Sequence, residues 1–200
     1  AHRPDFPGEK NFRGPVIHPQ FWPEYLDYEN KKVVVIGSGA TAVTLVPAMA
    51  EKAAKVTMLQ RSPTYIVSMP AENALANWAR RNLPAKLAYG LTRWRNVLLN
   101  RLMFWYCRRY PEKARKLLLR GARAELPADF DFGKHLTPHY NVWDQRVCLA
   151  PDGDFFAALR AGTADIVTDQ IDSFTKHGIK LASGGEVEAD IIVSATGLDL

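Results

Sequence analysis

The sequence predicts an α/β fold: a parallel sheet with a small antiparallel β element and a helical insertion. Three observations carry that reading. Residues 33–36, Val-Val-Val-Ile, form an apolar β-branched run of the kind that lies in a parallel sheet with both faces covered. Gly37, Gly39 and Ala42 follow at G-x-G-x-x-A spacing and open a helical pattern, after which residues 55–59 read as a second strand. Strand, helix and strand together span about 30 residues, the size of a βαβ unit. Finally, residues 71–126 are helical in pattern and interrupt an alternation of strand and helix that resumes after them.

Taken in order, residues 1–30 are rich in proline, glycine, aromatics and charge and read as an extended, ordered linker. Phe12, Ile17, Phe21, Trp22 and Tyr25 are too apolar for a free tail. Residues 32–36 form the first strand and 40–52 its helix, with Ala42, Leu45, Val46 and Met49 on one face and a kink or irregularity expected at Pro47. The helical stretch breaks at Leu83-Pro84 and Tyr110-Pro111. Its stripe of Leu91, Trp94, Leu98, Leu102 and Trp105 reads first as a face over an apolar core. Residues 127–140 read as loop and 146–149 as a short strand. A helix capped by Asp152 or Asp154 then runs through Arg160. Residues 164–168 form a strand, 171–175 and 178–182 an antiparallel pair, and 190–195 a last buried strand. The expected organisation is a linker over 1–30, the first half of a dinucleotide domain over 31–70, a helical insertion over 71–145 and the second half over 146–200.

The chain has 200 residues, ordinary hydrophobicity and a net charge of +5. The charge is local. Residues 71–125 hold 13 Lys or Arg against three acids, a balance of +10 that leaves the remainder at −5. No apolar run approaches the ~20 residues of a membrane span, and residues 1–8 lack the apolar core of a secretory leader. Cys107 and Cys148 are expected to be free thiols in a reducing, cytoplasmic compartment. The opening without Met and the stop just after Ala195-Thr196-Gly197 suggest a piece cut from a longer chain.

The glycine spacing is that of a Rossmann dinucleotide turn. The first glycine allows the tight bend, the second lets backbone approach a pyrophosphate, and the small third residue lets helix and strand pack. Amides of residues 38–42 at the helix start, with Ser38, Ala40 and Thr41 among them, would meet the phosphates. Where an NAD-binding fold carries an acid for the ribose 2′-hydroxyl, this strand ends Gln60-Arg61-Ser62. Arg61 can fork a phosphate, and Ser62 or Thr64 can add a hydroxyl. The competing reading is a solvated surface arginine; the glycine motif upstream favours the 2′-phosphate. NADPH fits this pattern better than FAD, which normally wants the acid.

The linker before the glycine turn spells F-x-G-x-x-x-H-x-x-x-W-P through Phe12, Gly14, His18, Trp22 and Pro23. This resembles the fingerprint of the Baeyer–Villiger monooxygenases, the class B flavoprotein monooxygenases, at every fixed position. Ala195, Thr196 and Gly197 resemble the segment where that family returns from its NADPH domain to its FAD domain. The stretches VVIGSGATAVTLVPA, VTMLQRSPTYIVS, WDQR and ADII–ATGL resemble a mycobacterial subgroup. The resemblance implies two cofactors, NADPH and FAD, with O₂ and a small-molecule substrate. One oxygen atom would be inserted into a ketone, or a thioether or thioamide sulfur oxygenated. It also implies an arginine that balances negative charge near the flavin, and by motif position that is Arg146. On the residues alone, Arg146 reads first as a structural ion pair with Asp144 or another acid. The fingerprint residues Phe12, Gly14, His18 and Trp22 would anchor the linker rather than do chemistry.

No second glycine turn for FAD is present, so the chain is expected to carry the NADPH half, to bind FAD weakly and to be inactive alone. The alternatives are an N- or S-oxygenating flavin monooxygenase, or a module that only binds nucleotide or docks on a membrane. The basic helices have three readings: a solvated face, a membrane-surface contact through Trp94, Phe104, Trp105 and Tyr106, and, last, a nucleic-acid surface for which no recognition motif exists. His135 and His139 lack a third ligand at metal spacing, so no metal is expected.

Overall fold

The computed structural model describes residues 4–197. Leu198, the last residue of the ATGL stretch, lies outside them. After a 3₁₀ turn at Glu9–Asn11 come strand β1 (Val16–Ile17) and a second 3₁₀ turn at Pro19–Phe21. The βαβ unit follows as β2 (Lys32–Ile36), α1 (Ala40–Ala50) and β3 (Lys55–Gln60). Strand β4 (Tyr65–Met69) leads into three helices, α2 (Ala74–Asn82), α3 (Ala85–Arg109) and α4 (Pro111–Ala124). The short α5 (Phe132–Leu136), β5 (Val147–Pro151), α6 (Asp154–Ala161) and β6 (Ala164–Thr168) come next. The described chain closes with β7 (Ile171–Phe174), β8 (Gly178–Leu181), β9 (Glu186–Glu188) and β10 (Ile191–Ser194).

The main sheet has the order β1-β10-β2-β3-β6, all neighbours parallel. Alternation along β2 explains its uniform hydrophobicity. Val33 and Val35 enter one core with Ala42, Val46 and Met49 of α1 and Phe155 and Phe156 of α6. Val34 and Ile36 enter the opposite core with Phe12, Leu59, Phe174 and Ile179. The second core is roofed by the antiparallel sheet β7-β8-β9. Both faces of the parallel sheet are therefore covered, as a β-branched strand of this kind requires.

Several expectations are corrected. The linker contributes β1 to the sheet edge, with Val16 opposite Ile192 and Ile17 opposite Val193. Strand β4 was not foreseen; it pairs in parallel with β5, so two strands flanking the helical block meet. The antiparallel pair is a three-stranded sheet. Residues 127–140 contain α5, which is too short to show a helical period. The N-cap of α6 is Gly153, in a left-handed conformation, and neither aspartate takes that position. Pro47 lies inside α1, which continues past it to Ala50.

The largest correction concerns α3. Its stripe covers no core among the described residues: Trp94 is 64% exposed, Leu98 54%, Leu102 60% and Trp105 57%. Its two buried residues are Ala88 and Cys107. Both cysteines are free and buried.

Candidate functional site

The C-terminal ends of β2, β3 and β10 meet at the glycine turn, which is where ligands bind in open α/β sheets. Gly37 has φ +124°, and a Cβ there would come within 2.5 Å of the Ala195 carbonyl oxygen. Only glycine satisfies both constraints without strain. The main chain then turns into α1, whose first intrahelical bond runs from the Val43 amide to the Gly39 carbonyl. The amides of Ala40, Thr41 and Ala42 are left at the helix start, facing outward at the positive end of its dipole. Ala42 is fully buried against the strand, the role expected of a small third residue. Ser38 Oγ donates to the Ser62 carbonyl at 3.2 Å, tying the glycine turn to the segment after β3.

Arg61 and Ser62 are exposed at the end of β3. The Arg61 guanidinium has no hydrogen bond or ion pair among the described residues. Thr64 is not available to a ligand. It is buried, and its hydroxyl lies 2.9 Å from the Tyr140 hydroxyl, which in turn donates to the Arg146 carbonyl at 3.4 Å.

Arg146 lies over the glycine turn. A Cβ on Gly39 would come within 2.6 Å of its Nη1, so the second glycine makes room for the guanidinium. The ion pair with Asp144 is not formed, because Asp144 binds Arg108 of α3 at 2.7 Å. The turn that launches Arg146 is tight. The Asp144 amide donates to the Asn141 carbonyl, and Trp143 sits at φ +71°, a conformation that a bulky side chain seldom adopts. The Trp143 ring packs edge-on against Phe104 of α3. Helix α3 therefore holds the turn through a salt bridge and an aromatic contact. Beneath it, Cys148 directs its thiol to the Ser38 carbonyl at 3.8 Å; burial pushes that thiol pKa up, and the Arg146 charge pulls it the other way.

The fingerprint residues cluster at the sheet edge. Phe12 is buried edge-on against Phe174. Gly14 passes so close to the start of β10 that a Cβ would fall 2.1 Å from the Asp190 carbonyl oxygen. His18 caps the second 3₁₀ turn, its Nδ1 accepting from the Gln20 amide at 3.2 Å, while its buried Nε2 has no partner. A shallow cavity beside it is lined by Thr41, Ala195 and Gly197, so the linker borders the glycine turn. Trp22 packs on Tyr28 and the core. Thr196 Oγ1 lies 3.3 Å from Ser194 Oγ, and Gly197 adopts φ +95° in open space.

Sequence reasoning missed one cluster. Gln60 is 1% exposed, and its Nε2 donates to the His135 carbonyl at 2.7 Å and to Thr168 Oγ1 at 2.8 Å. His135 Nδ1 lies 2.8 Å from the same hydroxyl. Thr168 Oγ1 thus bridges the Gln60 side-chain amide and the His135 ring. Burial lowers the His135 pKa, with Lys134 adding to that effect. The available signal was a polar amide ending an otherwise apolar buried strand.

Residues 2–101 match the family described as FMO-like, flavin-binding monooxygenase-like. The chain is similar to the FAD-containing monooxygenase EthA of Mycobacterium tuberculosis, 54% identical over 201 residues that cover all of this chain and 41% of that protein. The probable FAD-binding monooxygenase AlmA of Acinetobacter baylyi is 54% identical over 198 residues, covering 98% of this chain and 40% of the relative. Among solved structures, an oxidized steroid monooxygenase bound to NADP superimposes with a TM-score of 0.74 at 24% identity, over 100% of this chain and 45% of that one. A cyclohexanone monooxygenase from Rhodococcus bound to NADP⁺ gives 0.70 at 19%, over 98% and 44%. These likenesses show the fold. The chain spans about 41% of the length of the curated relatives it matches.

Proposed function

The chain belongs to the flavin-binding monooxygenase-like family, and from that premise we propose that it is the NADPH-binding portion of an FAD-dependent monooxygenase. The substrates are ketones, into which one oxygen atom of O₂ is inserted, or thioethers and thioamides, which are oxygenated at sulfur. The observation that carries this reading is the Arg146 guanidinium lying over Gly39, at the junction of glycine turn and fingerprint linker.

The residues fit NADPH. The cradle at Gly37 and Gly39 admits no Cβ without a shift, and the amides of residues 40–42 stand at the helix start. Gly37, Ser38, Gly39, Ala40, Thr41 and Ala42 would hold the pyrophosphate, Arg61 and Ser62 the 2′-phosphate, and Thr196 and Gly197 the chain's return past the cofactor. NADPH supplies hydride. Arg146 contributes a fixed cation, worth most where water is excluded. Arg108 and Trp143 orient it. Phe12, Gly14, His18 and Trp22 hold the linker. The FAD site falls mostly outside this chain. On this reading residues 1–30 are an interdomain linker, 31–70 and 146–200 the two halves of the NADPH domain, and 71–145 an insertion that also positions Arg146.

Titration with NADPH and NADH, followed by tryptophan fluorescence, tests the cofactor. NADPH binds at least tenfold tighter, and Arg61→Ala removes most of the difference. Equal binding of the two would sink the 2′-phosphate argument. In a polypeptide carrying both dinucleotide sites, Arg146→Ala lowers ketone oxygenation by about 10²-fold, the cost of losing one preorganised electrostatic group; unchanged turnover removes Arg146 from the chemistry.

The uncovered face of α3 favours a second, peripheral role, contact with an anionic membrane surface. Leu87, Leu91, Trp94, Leu98, Leu102 and Trp105 share that exposed face within a segment of net charge +10. Apolar and aromatic side chains flanked by arginines suit an interfacial helix. No helix among the described residues is long and apolar enough to cross a membrane. The reading is of a cytoplasmic protein that meets the bilayer at its surface. The protein should pellet with phosphatidylglycerol vesicles and much less with phosphatidylcholine. Concentration-dependent dimerisation in place of pelleting would assign the face to a second copy.

A further inference from the structure

The end of β3 decides what a dinucleotide's adenosine ribose meets. In an NAD-binding fold an acceptor stands there for the 2′-hydroxyl. Here the corresponding polar residue, Gln60, points the other way. Its side chain is 1% exposed and turned under the sheet end, where both amide protons are used, by the His135 carbonyl and by Thr168 Oγ1. Its Oε1 is buried without a partner among the described residues.

The backbone of the same residue is fixed as well. Gln60 sits opposite Thr168 in the parallel register of β3 and β6, and its carbonyl accepts from the Asp169 amide at 2.9 Å. One residue earlier, the Leu59 carbonyl accepts from the Gly37 amide at 2.8 Å, locking the strand end to the glycine turn. Side-chain direction alternates along a strand, so an inward Gln60 projects the next residue outward. That residue is Arg61, exposed and without a partner among the described residues.

We propose that Gln60, clamped by Thr168 and His135, is a positioning residue for cofactor selectivity. By facing inward it withholds an acceptor from a ribose 2′-hydroxyl and sets the direction from which Arg61 meets a 2′-phosphate. The inference rests on the NADPH reading. It assigns part of the discrimination to a buried triad that touches no cofactor. A guanidinium launched from a fixed backbone loses less freedom on forking a phosphate than one on a loose strand end.

The test measures NADPH and NADH dissociation constants and thermal midpoints for wild type, Thr168→Val, Thr168→Ser and Gln60→Leu. Thr168→Val removes the shared hydroxyl and keeps the shape. NADPH binding weakens about fivefold to tenfold, NADH binding stays within twofold, and the selectivity ratio falls accordingly. Thr168→Ser restores the ratio. Gln60→Leu, apolar and somewhat smaller in a buried place, repeats the loss and serves if Thr168→Val does not fold. A parallel fall of both affinities with the thermal midpoint, or an unchanged ratio in a folded variant, overturns the inference while leaving the NADPH reading standing. A wild type that binds NADH as tightly as NADPH overturns that reading first.

Discussion

The glycine-turn half of the molecule and its helical block put their apolar side chains to opposite ends. In β2, Val33, Val34 and Val35 are at most 1% exposed; α1 and α6 close over Val33 and Val35, and the antiparallel sheet closes over Val34. In α3, eleven large apolar residues between Leu87 and Trp105 are exposed at 43% or more. The first arrangement removes its apolar surface from water, and that burial drives folding. The second leaves it in water, an arrangement kept in a contiguous patch only where something else meets it. The sheet thus stabilises the fold. The helical block contributes little burial through α3, yet it sends Arg108 and Phe104 to the turn that carries Arg146.

This contrast can be broken by measurement. Phe155→Ala, in the core between α6 and the sheet, should cost about 3–5 kcal/mol of stability, because a fully buried ring leaves a cavity. Gly37→Ala should cost about 1–3 kcal/mol, from φ +124° and the approach to the Ala195 carbonyl, and should also abolish dinucleotide binding. Denaturant midpoints and nucleotide titration report the two effects separately. Leu98→Ala on the open face of α3 should change stability by less than about 0.5 kcal/mol. A loss as large as that of Phe155→Ala would mean that α3 packs on something in solution.

The smallest effect is pH-linked. His135 is held neutral, with a folded pKa below the ordinary histidine value. On acidification the unfolded chain takes up its proton first, so stability is present above the ordinary value and is lost as pH falls through the folded one. The thermal midpoint should therefore drop between neutral and mildly acidic pH, and His135→Gln should flatten that dependence. A midpoint that falls equally in the variant would assign the effect to other groups.

The parts legible in the sequence are those with local periodicity or a fixed motif. Residues 32–60 announced strand, glycine turn, helix and strand, and the proline breaks marked both ends of α3 within a residue or two. Short elements were not legible. Strands β1 and β9 have two and three residues and α5 has five, too few to express a period, and only pairing defines them. The apolar stripe of α3 was visible in the sequence, but its exposure was not, because a helical period reports a face and not its partner.

By itself, then, the sequence determined the glycine turn, the absence of an acid after β3 and the fingerprint linker. These follow from residue type and spacing, which is local stereochemistry. Tertiary structure alone decided that Arg146 lies over Gly39 instead of pairing with Asp144, that Gln60 turns inward to residues 75 and 108 positions away, and that α3 stands uncovered. Each of these depends on which distant groups compete for the same charge, hydrogen bond or apolar face, and that competition is settled only when the chain has folded.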